Sequence, residues 1–240
     1  MQYSNKWLPS AFTFMNLALG FIAMTLLYTE NIRASLVLIV LALFVDGIDG
    51  RLSRKFNVTS IIGKELDSLS DYLSFGVAPS LFYIVIQAEL IWIHYVVILV
   101  FLLCGAFQIA KYNTEYPYGS SENIFLGLPI NAAGILIAAM GYLGWLPLTF
   151  ELLTILVISP LMVLEIPYPS FKAHRLKKIF YLTIPVILFA LIVIGILPFI
   201  KLTFVIFPFV TFLFLSLYVI YGLLNIFISF GSIKRFIDNV

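Results

Sequence analysis

Long apolar runs separated by short polar segments dominate the pattern of this chain. A helix needs about 20 mostly apolar residues to cross a bilayer. Eight runs come close to or exceed that length, so the pattern predicts eight membrane-spanning helices, at residues 8–28, 34–54, 61–88, 91–113, 127–145, 148–166, 178–199 and 203–230. No internal repeat or linker interrupts the pattern, so residues 1–240 are expected to form a single membrane-embedded domain of the all-α class.

Composition and charge extend this prediction to an orientation. The chain is 62% hydrophobic and 11% charged, with a mean hydropathy of +1.08, whereas a soluble domain carries about 25% charged residues. If the N-terminus is cytoplasmic, only Arg33 and Lys201 of the 14 basic residues lie outside, and the other twelve lie inside. Lys and Arg concentrate in cytoplasmic loops, so both termini of this integral membrane protein are expected in the cytoplasm.

Four aspartates interrupt the apolar pattern near the predicted cytoplasmic ends of spans two and three. Asp46 and Asp49 are three residues apart, and Asp67 and Asp71 are four apart, so each pair shares one face of its helix. A charged residue within a membrane helix costs about 2.5–3.5 kcal/mol. Four carboxylates that converge must therefore be offset by positive charge, which either a bound cation or nearby basic side chains would supply. The nearby basic residues are Arg51, Arg54, Lys55 and Lys64.

The residue types in this stretch favour a hard divalent cation. Carboxylate oxygens suit Mg²⁺, Mn²⁺ and Ca²⁺, and no His or Cys accompanies them as a zinc site would require. Four carboxylates are enough for two ions, an arrangement that clamps a phosphoryl group during displacement. Gly50 and Gly63 lie on the same faces and leave room for a phosphate or a planar group. The sequence therefore predicts a metal-assisted reaction at a phosphate.

The stretch from Asp46 to Asp71 resembles the signature of the CDP-alcohol phosphatidyltransferase family, D-x2-D-G-x2-A-R-x8-G-x3-D-x3-D. Every spacing agrees, and Ser53 stands where the family has alanine. The flanking segments are similar to the phosphatidylserine synthase branch, although Gln108 stands where that branch often has a second basic residue. These segments are residues 9–21, 63–80, 110–134 and 168–172. The resemblance covers most of spans one to six, and residues 178–230 share only hydrophobicity with it.

The resemblance implies a membrane enzyme with the CDP-alcohol phosphotransferase fold. Such an enzyme would transfer a phosphatidyl group from a CDP-linked lipid, built on diacylglycerol or archaeol, to the hydroxyl of L-serine and release CMP. It would use Mg²⁺ or Mn²⁺, as two ions, with Ca²⁺ as another candidate occupant. It would form a homodimer in the cell membrane with its active site at the cytoplasmic face, and no nucleic-acid partner is implied.

The family pattern also implies roles for individual residues. Asp71 is the expected catalytic base as well as a metal ligand. The metal ligands are Asp46, Asp49, Asp67 and Asp71, and the nucleotide-binding residues are Gly50, Ser53, Arg54, Gly63 and Asn16. The candidates for binding the acceptor serine are Lys111, Lys64 and Arg175. A lysine at the end of a span can equally extend its charge to the membrane surface, so both interpretations of Lys111 stay open.

Other functions remain open at the level of sequence. Relatives that share the same core motif use glycerol phosphate or inositol phosphate as acceptors. Aspartates within a membrane also line ion pathways, which makes a transporter or channel an alternative of a different class. Clustering of the carboxylates at one membrane face disfavours that alternative. Retention of all four aspartates disfavours a lipid-binding scaffold without activity.

Overall fold

The computed structural model describes residues 7–56, 60–87, 91–115, 124–144, 146–169 and 208–224, with the backbone alone at 7–10, 49–56, 124–126 and 167–169. Helices dominate these ranges. In chain order the helices are α1 (Trp7–Tyr28), α2 (Ile32–Phe56), α3 (Ile61–Asp71), a π-helical segment (Tyr72–Val77), α4 (Ala78–Ile86), α5 (Trp92–Glu115), α6 (Ile130–Leu143), α7 (Leu148–Val163) and α8 (Pro208–Leu224). Two strands, β1 (Ile124–Leu126) and β2 (Pro167–Pro169), complete the elements.

The helices follow the predicted apolar runs. Within the described part of the chain, three segments are long and apolar enough to cross a membrane: Ala11–Tyr28, Ile61–Ile86 and Trp92–Glu115. Helices α6 and α7 have 14 and 16 residues, fewer than the roughly 20 needed for a full crossing. The predicted span 178–199 lies outside the described residues. The helical class is therefore confirmed, whereas eight spans and the orientation of the termini stay predictions.

A small two-stranded sheet accompanies the helices, and the sequence did not predict it. Strands β1 and β2 pair antiparallel, with Phe125 opposite Tyr168. Gly127 follows β1 with a φ of 83°, a left-handed conformation that favours glycine, and its amide donates to the carbonyl of Ile166 at 2.9 Å. The hydrophobic pattern did not indicate this pairing, because it joins segments more than 40 residues apart in sequence. The sheet holds the chain just before α6 against the end of α7.

Helix α6 is the most deeply buried helix of the described structure. Most of its residues are shielded from solvent, including Ala133, Ile137 and Met140. A Cβ added at Gly134 would collide with the carbonyl of Phe75 in the π-helical segment, so glycine allows the two backbones to touch. This close approach brings the N-terminal end of α6 beside the end of α3.

Two serines fasten α1 to the third predicted span. The Ser70 hydroxyl donates to the carbonyl of Thr13 at 3.0 Å, and the Ser74 hydroxyl donates to the carbonyl of Asn16 at 3.0 Å. Both serines are fully buried, and buried hydroxyls need such partners. Asp71 lies between them in sequence, so these contacts fix the position of Asp71 along the axis of α1.

Candidate metal centre and active site

Three aspartates from two helices converge at one point. One carboxylate oxygen each from Asp46 on α2 and from Asp67 and Asp71 on α3 lie within 4.8 Å of one another. All three side chains are partly exposed. The side chain of Asp49, the fourth predicted ligand, lies outside the described residues. The aspartates of spans two and three, which the motif predicted to converge, therefore do so for the three described side chains.

The donor set fits a hard divalent cation. Two oxygens that share one Ca²⁺, each at about 2.3–2.6 Å, lie at most about 5 Å apart, which accommodates the 4.8 Å spread of the three oxygens. Mg²⁺ binds at about 2.0–2.1 Å and would need a small inward movement of the carboxylates. The described ligand atoms are all carboxylate oxygens, the type that Mg²⁺, Mn²⁺ and Ca²⁺ prefer.

Two asparagines bracket Asp71. Asn16 on α1 donates from Nδ2 to Oδ1 of Asp71 at 3.1 Å. Asn131 on α6 donates from Nδ2 to Oδ2 of Asp71 at 3.4 Å and to Oδ2 of Asp46 at 3.0 Å. Each oxygen of the Asp71 carboxylate thus accepts an amide N–H, which orients the carboxylate and stabilises its charged form.

Asn131 was missed by the sequence analysis. It lies 85 residues after Asp46 and 60 after Asp71, so no local spacing connects it to the motif. The signal that the sequence offered was the placement of Asn131 as the second residue of an otherwise apolar helix that begins after Pro129. Asn16 was predicted as a nucleotide contact, and that role stays a prediction. In the structure its side chain donates to Asp71, and 1% of its surface is exposed.

The predicted glycine and serine positions near the nucleotide are described only in part. Gly63 lies in the first turn of α3, and its amide donates to Oγ of Ser60, the N-cap residue, at 2.9 Å. This contact satisfies one of the free amides at the start of the helix. Gly50, Ser53 and Arg54 lie on α2, where the structure describes the backbone alone.

The basic candidates for serine binding have partners within the protein. Lys64 donates to the carbonyl of Asn113 at 3.1 Å. The same ammonium lies 5.3 Å from the centre of the Tyr112 ring, within range of a cation–π interaction. Lys111 donates to Glu165 at 2.7 Å. Arg175 lies outside the described residues.

Polar contacts also join α3 to α5 beside the carboxylates. The side-chain amide of Asn113 donates to Oγ of Ser68 at 2.9 Å and to Oε2 of Glu65 at 3.1 Å. Ser68 immediately follows Asp67. The end of α5 is therefore held against the helix that carries two of the three clustered aspartates.

Comparison with known proteins identifies the family of this chain. The family model of CDP-alcohol phosphatidyltransferase matches residues 6–214. The chain belongs to the CDP-alcohol phosphatidyltransferase family. The prediction made from the aspartate motif is confirmed, and the match includes all three clustered carboxylates.

Individual relatives of this chain carry more specific names. A CDP-diacylglycerol–serine O-phosphatidyltransferase of Bacillus subtilis (strain 168) is 33% identical over 175 residues, which cover 72% of this chain and 96% of that protein. The enzyme of that name in Helicobacter pylori (strain 26695) is 33% identical over 236 residues, 90% of each chain. An archaetidylserine synthase of Methanothermobacter thermautotrophicus is 32% identical over 167 residues, 68% of this chain and 69% of that protein.

Proposed function

We infer that this protein transfers the phosphatidyl group of a CDP-linked lipid to the hydroxyl of L-serine and releases CMP. The convergence of Asp46, Asp67 and Asp71 in a member of this family carries the inference. Serine as the acceptor is supported by relatives named for serine transfer that match most of the chain. Those relatives are named for both diacylglycerol and archaeol lipids, so the donor tail is left general.

The residues of the site divide the chemistry between them. A divalent cation, Mg²⁺ or Mn²⁺, would neutralise the donor pyrophosphate. We propose that Asp46, Asp49, Asp67 and Asp71 hold two such ions. Asp71 also accepts the proton of the serine hydroxyl, because a weak nucleophile needs a base within hydrogen-bond reach. The serine oxygen forms a bond to the lipid phosphorus, and the bond from that phosphorus to the bridging oxygen breaks as CMP leaves.

The two asparagines support Asp71 in this role. Asn16 and Asn131 each donate to a different oxygen of its carboxylate, so rotation of the carboxylate about its χ2 bond would break a hydrogen bond. A base that is held in one orientation does not have to be ordered when the substrate arrives. The hydrogen bond from Asn16 to Asp71 therefore supports a role in orienting the carboxylate more strongly than a role in contacting the nucleotide phosphates. Gly50, Ser53, Arg54 and Gly63 remain the proposed nucleotide-binding residues.

Lys64 is the better placed of the described candidates for the serine carboxylate. It precedes Asp67 by three residues and Asp71 by seven, so it shares their face of α3. Its ammonium has three donors, so its hydrogen bond to Asn113 does not by itself exclude a substrate carboxylate. Lys111 is engaged by Glu165 and lies 3.9 Å from Glu115. Arg175 stays a proposal from sequence.

Purified protein tests this proposal through release of CMP from a CDP-lipid. The reaction contains Mn²⁺ or Mg²⁺, with and without L-serine, and EDTA serves as the control. Release that needs both serine and metal is expected. Release with glycerol phosphate or inositol phosphate, but not with serine, would contradict the proposed acceptor and keep the mechanism. No release with any alcohol would contradict the proposed enzyme.

The membrane arrangement is part of the same proposal. The excess of Lys and Arg on one side of the predicted spans supports cytoplasmic termini and a carboxylate cluster at the cytoplasmic face of the cell membrane. Family resemblance supports a homodimer. Protease protection of tags at the two ends in inverted and right-side-out vesicles tests the orientation, and cross-linking in native membranes tests the dimer.

A further inference from the structure

The start of α6 depends on one side chain of α5. Gln108 accepts a hydrogen bond from the amide of Ile130 through Oε1 at 3.1 Å and donates through Nε2 to the carbonyl of Leu128. These two backbone groups flank Pro129, the N-cap residue of α6, which has no N–H and whose ring has no polar side-chain group for capping. A glutamine can serve both groups because its amide carries a donor and an acceptor, whereas arginine and lysine only donate.

The residue placed by this clamp is Asn131. It directly follows Ile130, so the position of the Ile130 amide determines where its side chain begins. Its Nδ2 group then contacts Asp46 on α2 and Asp71 on α3. One turn later, Gly134 lets α6 approach the backbone of Phe75. Residues 131 and 134 share a helix face, so the same close approach that buries α6 brings Asn131 to the carboxylates.

We propose that Asn131 is a positioning residue for the clustered carboxylates, and that Gln108 acts through it. Asn131 joins an aspartate of α2 to an aspartate of α3, and these groups would otherwise repel each other. Hydrogen-bond partners of ligating carboxylates orient the ligands, and their loss typically reduces metal affinity or activity by about 10–100-fold. The part of this proposal that concerns turnover rests on the proposed function, and the part that concerns cation binding does not.

Direct Mn²⁺ binding tests the role of Asn131. Electron paramagnetic resonance of the purified full-length protein gives the dissociation constant for Mn²⁺ without any need for turnover. For Asn131→Leu, which keeps the side-chain size and removes the donor, we expect a dissociation constant about 10–100-fold higher. We also expect kcat to fall while KM for serine stays within a small factor. Wild-type Mn²⁺ affinity in the folded variant would overturn the proposal.

A second substitution at the same position keeps the test decisive if Asn131→Leu does not fold. Asn131→Ser keeps a polar group at the start of α6 but has only one hydroxyl donor, on a shorter side chain than asparagine. It should weaken Mn²⁺ binding in the same direction. An unchanged dissociation constant in this variant would also overturn the proposal, whatever the fate of Asn131→Leu.

The role of Gln108 is tested by Gln108→Met, which removes both hydrogen bonds at similar size. Weaker Mn²⁺ binding is expected, and an unchanged affinity would overturn the action of Gln108 through Asn131. Gln87→Met is the matched control. Gln87 donates to buried Glu151 at the other end of the third predicted span, so its loss should lower the melting temperature and leave Mn²⁺ affinity unchanged.

Measurements of Mn²⁺ binding and of CMP release by the wild-type protein distinguish failure of this proposal from failure of the proposed function. Mn²⁺ binding without serine-dependent release of CMP would contradict the proposed function, while the affinities of the variants would still decide the role of Asn131. If the wild-type protein binds no Mn²⁺, the proposal for Asn131 is overturned.

Discussion

Asn131 on α6 lies 3.0 Å from Asp46 on α2, measured from Nδ2 to Oδ2, across 85 residues of sequence. The contact links two elements that the aspartate motif alone does not connect. Together with the hydrogen bond to Asp71, it adds α6 to a site whose clustered carboxylates come from α2 and α3. Five predictions follow from this geometry and from the packing around it.

Asp71→Asn should reduce turnover by at least about 10²-fold, the smaller end of the range for a positioned base. The amide has similar size but cannot accept the serine proton. CMP release with saturating serine measures the effect, and circular dichroism checks that helical content is retained. Glu65→Gln makes the same carboxylate-to-amide change at an exposed position of α3 and should remain active. Near-normal turnover in Asp71→Asn would contradict the assignment of the base.

Removal of divalent cations should both stop turnover and lower thermal stability. A ligand that binds only the folded state stabilises it by about 2.7 kcal/mol at a concentration 100 times its dissociation constant. Addition of Mn²⁺ to EDTA-treated wild-type protein should therefore raise the melting temperature. Asp67→Asn removes one of the three converging carboxylates and should show a smaller rise. An equal rise in both proteins would place the bound Mn²⁺ elsewhere.

Gly134→Ala should destabilise the protein by about 1–3 kcal/mol, the usual cost of an added methyl in a packed interior. The new Cβ would collide with the carbonyl of Phe75 and push α6 outwards. Thermal melting in detergent measures the loss. Gly47→Ala is the control, because its Cβ would meet no atom of the described residues within 4 Å and alanine favours helix. Equal melting temperatures for Gly134→Ala and wild type would contradict this packing.

Lys64→Gln should raise KM for L-serine by about tenfold or more, the loss expected when a hydrogen bond to a charged group disappears. Lys111→Gln should have a smaller effect, because Lys111 is already paired with Glu165 in the structure. Steady-state kinetics at saturating CDP-lipid measure both constants. The reverse order of the two effects would move the acceptor site to the end of α5.

A buried polar cluster outside the aspartate motif should contribute stability without affecting the cation requirement. Glu151 is 1% exposed and accepts hydrogen bonds from Tyr83 at 2.9 Å and from Gln87. Tyr83→Phe leaves the ring and removes the donor, at a cost of about 1–3 kcal/mol. The melting temperature should fall, and the Mn²⁺ concentration for half-maximal turnover should stay the same. A changed cation requirement would show that this cluster is coupled to the active site.

Local spacing was enough to predict most of the described helices and the pairing of aspartates on one helix face. The apolar runs gave the bounds of α1, α2 and α5 to within two residues. They could do so because a helix that crosses a membrane consists of one continuous stretch of mostly apolar residues. Intervals of three and four residues placed Asp67 and Asp71 on one face of α3 for the same local reason. The aspartate motif was specific enough to identify the family, which the comparison confirms.

Contacts between distant segments were decided only by the tertiary structure. The amide of Asn131 could have faced any neighbour, and it reaches Asp46 because Gly134 allows α6 to approach the third predicted span. Gln108 serves two backbone groups some 20 residues away. Helical periodicity specifies which side chains share a face, but packing determines what that face meets. The sequence alone therefore determined most of the described helices, the aspartate pairs and the family, while the fold decided which amides contact those carboxylates.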